Sequence, residues 1–154
     1  MKSTDSLRDR ILEFLDPFRE VAHLEIDEHI WIAEDYEATE IDAKPHNPQA
    51  CAFSILLDPT SYTFQLTAGY GFNFQSEIAT FNETDLFDHL HAITQGHLQE
   101  TVTYYNDKFL SAKGHIEIHD SQRHTETHFK KFQIAAANLL RQTKKVEHNY
   151  QPWK

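Results

Sequence analysis

The chain has 154 residues, 40% of them apolar and 12% aromatic, with a formal net charge of −10. Eleven Phe, six Tyr and two Trp bring more large apolar surface than a disordered chain carries, so global disorder is excluded. A chain of this size buries roughly two thirds of the surface its unfolded form exposes, so one domain over residues 1–154 is expected to stand without a metal or disulfide staple.

Residues 5–22 read as helix, because Leu7, Ile11, Phe14, Leu15, Phe18 and Val21 recur at spacings of three and four. Asp16-Pro17 has the chemistry of a cap and a first turn, which predicts a kink or a second short helix there. Residues 24–42 fit strand or helix equally well around His29-Ile30-Trp31-Ile32-Ala33, and the pattern leaves both open. Two prolines in Lys44-Pro45-His46-Asn47-Pro48-Gln49 mark a loop. Three strands follow: residues 50–57, then Tyr62 to Ala68, then Phe72 to about residue 78, separated by Asp58-Pro59-Thr60-Ser61 and Gly69-Tyr70-Gly71. Over residues 83–96 the period changes to that of a helix through Leu86, Phe87, Leu90 and Ile93, begun near Asn82 or Thr84 and ended at Gly96. Residues 98–105 and 108–119 read as a hairpin closed by Asn106-Asp107. Asp120 to about Thr127 reads as a loop before a last helix carrying Phe129, Phe132, Ala136, Leu139 and Leu140, with Lys144 and Lys145 near its end. The short connections favour antiparallel pairing. The expected fold is therefore α+β: an antiparallel five-stranded sheet, made of a three-strand meander, a helix and a hairpin, with N-terminal, central and C-terminal helices packed on it.

Charge is unevenly distributed. Residues 1–19 are balanced, residues 20–107 hold sixteen acids and the single base Lys44, and residues 108–154 hold nine bases against four acids. The long acidic stretch cannot neutralise itself locally, so its carboxylates meet water, the basic C-terminal part or an external cationic surface. Nucleic acid is disfavoured as a partner of that face, since phosphate requires clustered Lys and Arg. No apolar leader or window of about 18 apolar residues occurs, so neither export nor membrane insertion is expected, and the lone Cys51 in an apolar run fits a core thiol in a reducing cytoplasm.

Catalytic signatures are sparse. His115-x-Glu117-x-His119 would set three metal-ligand types on one strand face and His124-x-x-x-His128 two on a helical face, but a half-solvated strand shows the same polar face without any metal. Gly69-x-Gly71 lacks the third glycine and the strand-to-helix setting of a phosphate cradle. Glu34-Asp35 could do acid–base chemistry only in a cleft that raises a pKa. No enzyme activity and no cofactor are expected. Trp31, Glu34, Asp35, Tyr36, Glu37, Glu40 and Asp42 interleave aromatics with carboxylates, the composition of an interface in which aromatics anchor and charges steer; the alternative is a folded element whose acids are merely solvated.

The size, the charge and the run Gly69-Tyr70-Gly71-Phe72-Asn73-Phe74, continuing through the 83–96 helix into Ile93-Thr94-Gln95-Gly96-His97-Leu98-Gln99-Glu100, resemble the small acidic immunity proteins of bacterial secreted-toxin systems. That resemblance implies a cytoplasmic protein that binds and inhibits a cognate toxin with a basic surface, plausibly a nuclease. The element order also resembles class I type III secretion chaperones, which would imply a dimer that binds an extended effector segment. A histidine-based metal-dependent enzyme is the third alternative.

Overall fold

An extended backbone sends every second side chain to the same side of a strand, and apolar residues at every second position then bury one side, here against one core shared by two antiparallel sheets. The structure, a computed structural model, describes residues 4–78, 82–119, 121–128 and 143–153. Helices α1 (Thr4–Leu15) and α2 (Phe18–Val21) precede strands β1 (Glu25–Ala33), β2 (Tyr36–Lys44), β3 (Phe53–Asp58), β4 (Thr63–Ala68) and β5 (Phe72–Glu77). Helix α3 (Glu83–Thr94) then leads to β6 (Leu98–Tyr105), β7 (Lys108–Ile118), β8 (Ser121–His128) and β9 (Thr143–Asn149). The first sheet has the order β1-β2-β3-β4-β5 and the second β8-β7-β6-β9.

The α+β class and a five-stranded antiparallel sheet are both present, with the sheet's membership different from the expected one. Its fourth and fifth strands come from the undecided 24–42 region, which folds as the β1/β2 hairpin closed by the two-residue connection Glu34-Asp35. The predicted 98–119 hairpin forms instead the centre of the second sheet, flanked by β8 and β9. Both flanking strands were missed for one reason. They are polar on both faces, and backbone pairing to β7 and β6 overrides the absence of an apolar period. The predicted loop at 120–127 is thus largely β8, and Lys144 and Lys145 lie in β9 opposite Tyr104 and Thr103 rather than at a helix end. The proposed stripe Phe129, Phe132, Ala136, Leu139 and Leu140 lies outside the described residues.

Elsewhere local chemistry accounts for the elements. Pro17 ends α1 and α2 begins at the next residue. The Asn82 side chain accepts the Thr84 amide at the start of α3, and Gly96 takes φ +78° past its end. Asn106 and Asp107 both adopt positive φ, 50° and 61°, which a tight turn twisted like its flanking strands requires. At the β3–β4 turn the Asp58 carboxylate accepts the amides of Thr60 and Ser61 at 2.8 and 3.2 Å and the Ser61 hydroxyl at 2.7 Å.

The core gathers Leu7, Ile11 and Leu15 of α1, Ile55, Leu57, Phe64 and Leu66 of the meander, Leu86, Leu90 and Ile93 of α3, and Ile116 of β7. Trp153 closes it. Its ring stacks on Phe53 at 5.3 Å and meets Phe18 edge-on at 5.6 Å, while its Nε1 donates to the Cys51 carbonyl at 2.8 Å.

The two sheets are tied by Glu100 of β6, a carboxylate only 2% exposed. It accepts the Tyr70 amide at 2.8 and 3.1 Å, the Gly71 amide at 2.8 Å and the Tyr150 hydroxyl at 2.6 Å. Gly69, at φ +59°, leaves room for that carboxylate: a Cβ there would overlap Glu100 Oε1 and lie 2.7 Å from Tyr150 Oη. Burial and the hydrogen bond to Glu100 push the Tyr150 phenol well above its ordinary range.

Candidate partner-binding surface

The β1/β2 hairpin is the first sheet's outer edge and reaches past its neighbour. The register runs from Glu25↔Lys44 to Ala33↔Tyr36, yet only Thr39–Ala43 of β2 pair with β3. Alternation then sorts its side chains. Ile41 and Ala43 face the core, so their partners Glu28 and Ile26 do too, with Ile30 and Ile32 following along that face. Arg8 of α1 reaches this face and forms an ion pair with Glu28 at 2.7 Å.

The opposite, outer face carries Asp27, His29, Trp31 and Ala33 from β1, Tyr36, Ala38, Glu40 and Asp42 from β2, and Ser54 and Leu56 from β3. Trp31 is 55% exposed, and its Nε1 donates to Glu40 Oε2 at 2.7 Å while Ser54 Oγ donates to Glu40 Oε1 at 2.8 Å. The carboxylate thereby fixes the indole while leaving much of it in water. Trp31, Ala33, Tyr36 and Leu56 of this face line an open, mostly apolar depression of about 420 Å³ with Glu40 at its side, and Ile32, though in phase with the other face, reaches its rim at the hairpin tip. Beside it on the same face lies a second depression of about 400 Å³ bordered by Glu25, Asp27, Asp42, Lys44, Ser54 and Thr67. Asp27 and Asp42 stand directly opposite each other, and His29 Nε2 is 3.4 Å from Asp42.

Of the seven residues singled out in the sequence, Trp31, Tyr36, Glu40 and Asp42 therefore share one face. Glu34 and Asp35 form the adjoining turn, and Glu37 points to the other side, where it lines a depression with Asp5 and Arg8 of α1. Sequence reasoning missed Leu56, Asp27 and His29. Asp27 to Ala33 runs from three polar to four apolar residues with no alternation, so their faces are assigned only by the hairpin register.

Of the strand candidates, His115 and Glu117 occupy the solvent side of β7, whereas His119, beyond its end at φ +48°, turns to within 3.1 Å of Asp88 on α3. His124 and His128, expected on a helical face, lie instead in strand β8, where backbone pairing sets them opposite His115 and Ser111. Among the described residues no group of three or more His, Cys, Asp and Glu is placed to hold a metal ion. Burial, with Glu100 nearby, pushes the Cys51 thiol up to about 12, the condition of a core thiol rather than a nucleophile. Among those residues, too, no helix is long and apolar enough to cross a membrane. Comparison with protein-family models, with curated proteins and with solved structures finds no match to this chain.

Proposed function

We propose that this chain is a protein-binding module that holds a basic partner on the outer face of its five-stranded sheet, and that it acts there as an immunity-type inhibitor of a toxin. The observation that carries the reading is Trp31, a large aromatic kept exposed while Glu40 fixes its orientation, set beside the facing carboxylates Asp27 and Asp42. An indole already held in place loses little side-chain freedom on binding, so its burial goes largely into affinity. The surrounding negative field raises the rate of encounter with a basic surface and weakens with salt. A nuclease is the toxin class that fits this chemistry, because a cleft built for phosphate is basic and an acidic face competes for it.

The test is parallel affinity capture from the lysate of the source cell with wild-type, Trp31→Ala and Glu40→Arg baits, followed by expression of the captured protein alone and together with this chain. A stoichiometric basic partner held by the wild type and lost by both variants, toxic alone and harmless in co-expression, is the expected result. A partner held equally by all three baits refutes the surface, and a partner that is not toxic alone refutes the inhibitory role.

A further inference from the structure

The edge of the first sheet carries more information than its apolar tip. We infer that the partner contributes an extended segment, alternating basic and aliphatic residues, that pairs with the free edge of β1 as a sixth strand; this rests on the basic-partner reading of the same surface. Three observations support it.

Among the described residues nothing pairs with β1 on the side away from β2. A hairpin with a two-residue connection closes on a hydrogen-bonded pair, here Ala33↔Tyr36, and bonded pairs recur at every second position. Trp31, His29, Asp27 and Glu25 thus spend their backbone groups on β2. Those of Ile26, Glu28, Ile30 and Ile32 point outward, a ladder awaiting a strand.

The side chains beside that ladder are poorly suited to water. Ile30 and Ile32 are 63% and 79% exposed, next to each other on the face that leads to α1. Soluble proteins blunt free edges with lysine, proline, bulges or a covering element, and β1 contains no lysine or proline and pairs in unbroken register. Aliphatic residues on an added strand would cover both isoleucines.

Charge then selects among occupants. Glu28 is held by Arg8, but a second copy pairing through β1 would still bring Glu25 and Asp27 of each strand into one ribbon whose strands hold no lysine or arginine, and like charges across strands repel. On the outer face Asp27 already opposes Asp42. A Lys or Arg on the added strand next to Asp27 would offset that repulsion, so basic residues belong on the outer face of the segment and aliphatic ones on the inner face.

The test uses the intact protein and a synthetic nine-residue peptide of alternating Lys and Val, with a Glu/Val peptide as its counterpart, and follows amide hydrogen exchange residue by residue. At peptide about ten times its Kd, the amides of Ile26, Glu28, Ile30 and Ile32 should slow about tenfold, with Asp27, His29 and Trp31 changing less. Ile30→Pro deletes one outward N–H without breaking a bond to β2, and should weaken the Lys/Val peptide about tenfold. No slowing at those four amides overturns the inference, as does equal binding of the Glu/Val peptide. Should Ile30→Pro fail to fold, the exchange pattern of the wild type decides alone. Failure here is separable from failure of the surface reading: a natural partner lost by Trp31→Ala but retained by a folded Ile30→Pro keeps the surface and refutes the strand, and the reverse pattern refutes the surface and keeps the strand.

Discussion

Replacing Glu100 by alanine removes an acceptor shared by three donors in the junction between the sheets: the amides of Tyr70 and Gly71 and the Tyr150 hydroxyl. A buried donor left without an acceptor costs about 1–3 kcal/mol. Tyr70 is 48% exposed, so water relieves part of that loss, and the net expectation for Glu100→Ala is about 4 kcal/mol. For a chain of this length that lowers the melting temperature by about 8–16 °C. Glu100→Gln keeps one acceptor oxygen but turns an amide toward the backbone donors, and should cost about half as much. Tyr150→Phe removes one bond and should cost about 1 kcal/mol. Because Glu100→Ala and Tyr150→Phe delete the same contact, the double variant should fall short of additivity by about 1 kcal/mol. Urea unfolding followed by fluorescence measures all four variants against the wild type. Loss of less than about 1 kcal/mol in Glu100→Ala, or strict additivity of the pair, would refute the assignment of this carboxylate as the tie between the sheets.

Gly69→Ala should destabilise by several kcal/mol, through its positive φ and the overlap with Glu100, and by clearly less in a Glu100→Ala background where the carboxylate no longer fills the space. Equal effects in both backgrounds, read from the same urea curves, would dissociate the glycine from the carboxylate. Asp42→Lys replaces a facing like-charge pair with an opposite one, so stability should rise by up to about 1 kcal/mol while association with a basic partner slows and loses salt dependence in stopped flow. A folded-state thiol at about 12 keeps its proton after the unfolded chain has released it, so stability should fall from about pH 9 towards pH 12. The thiol's share of the slope is at most about 1.4 kcal/mol per pH unit, with the raised Tyr150 phenol adding its own above about pH 10, and Cys51→Ala should remove the thiol's share; an unchanged slope between about pH 9 and 10 in alkaline unfolding curves would show that the thiol is not protected.

How much of this was legible depended on whether a residue's role was local. Turns at Asp58 and Asn106-Asp107 and the stop at Gly96 follow from short-range chemistry, and of the two helix starts the sequence offers, Asn82 and Thr84, the structure uses Asn82. The meander and the inward side of β7 follow from alternation. What alternation cannot supply is the partner of a polar strand. β8 and β9 have no apolar period of their own, and they join the sheet because β7 and β6 offer them backbone. The same limit applies to the surface: the 31–42 segment stood out by composition, but assigning Glu37 to one side and Glu40 to the other required the hairpin register. Glu100 stands in phase with Leu98 and Val102, so alternation turns it inward, but the donors it meets there, the amides of Tyr70 and Gly71, belong to the other sheet and are brought to it only by the fold.

The chain's two tryptophans sit in opposite environments, Trp31 half in water at the hairpin tip and Trp153 at 1% exposure beneath Phe53 and Phe18. They divide the intrinsic emission into two independent optical channels. A cationic aqueous quencher such as caesium is drawn to the acidic face around Trp31 and does not reach Trp153, so the quenchable, red-shifted fraction reports occupation of the sheet face, while the shielded blue fraction stays silent until the core opens. A single fluorescence titration can therefore separate docking from unfolding, with Trp31→Phe and Trp153→Phe assigning the channels and no external label attached.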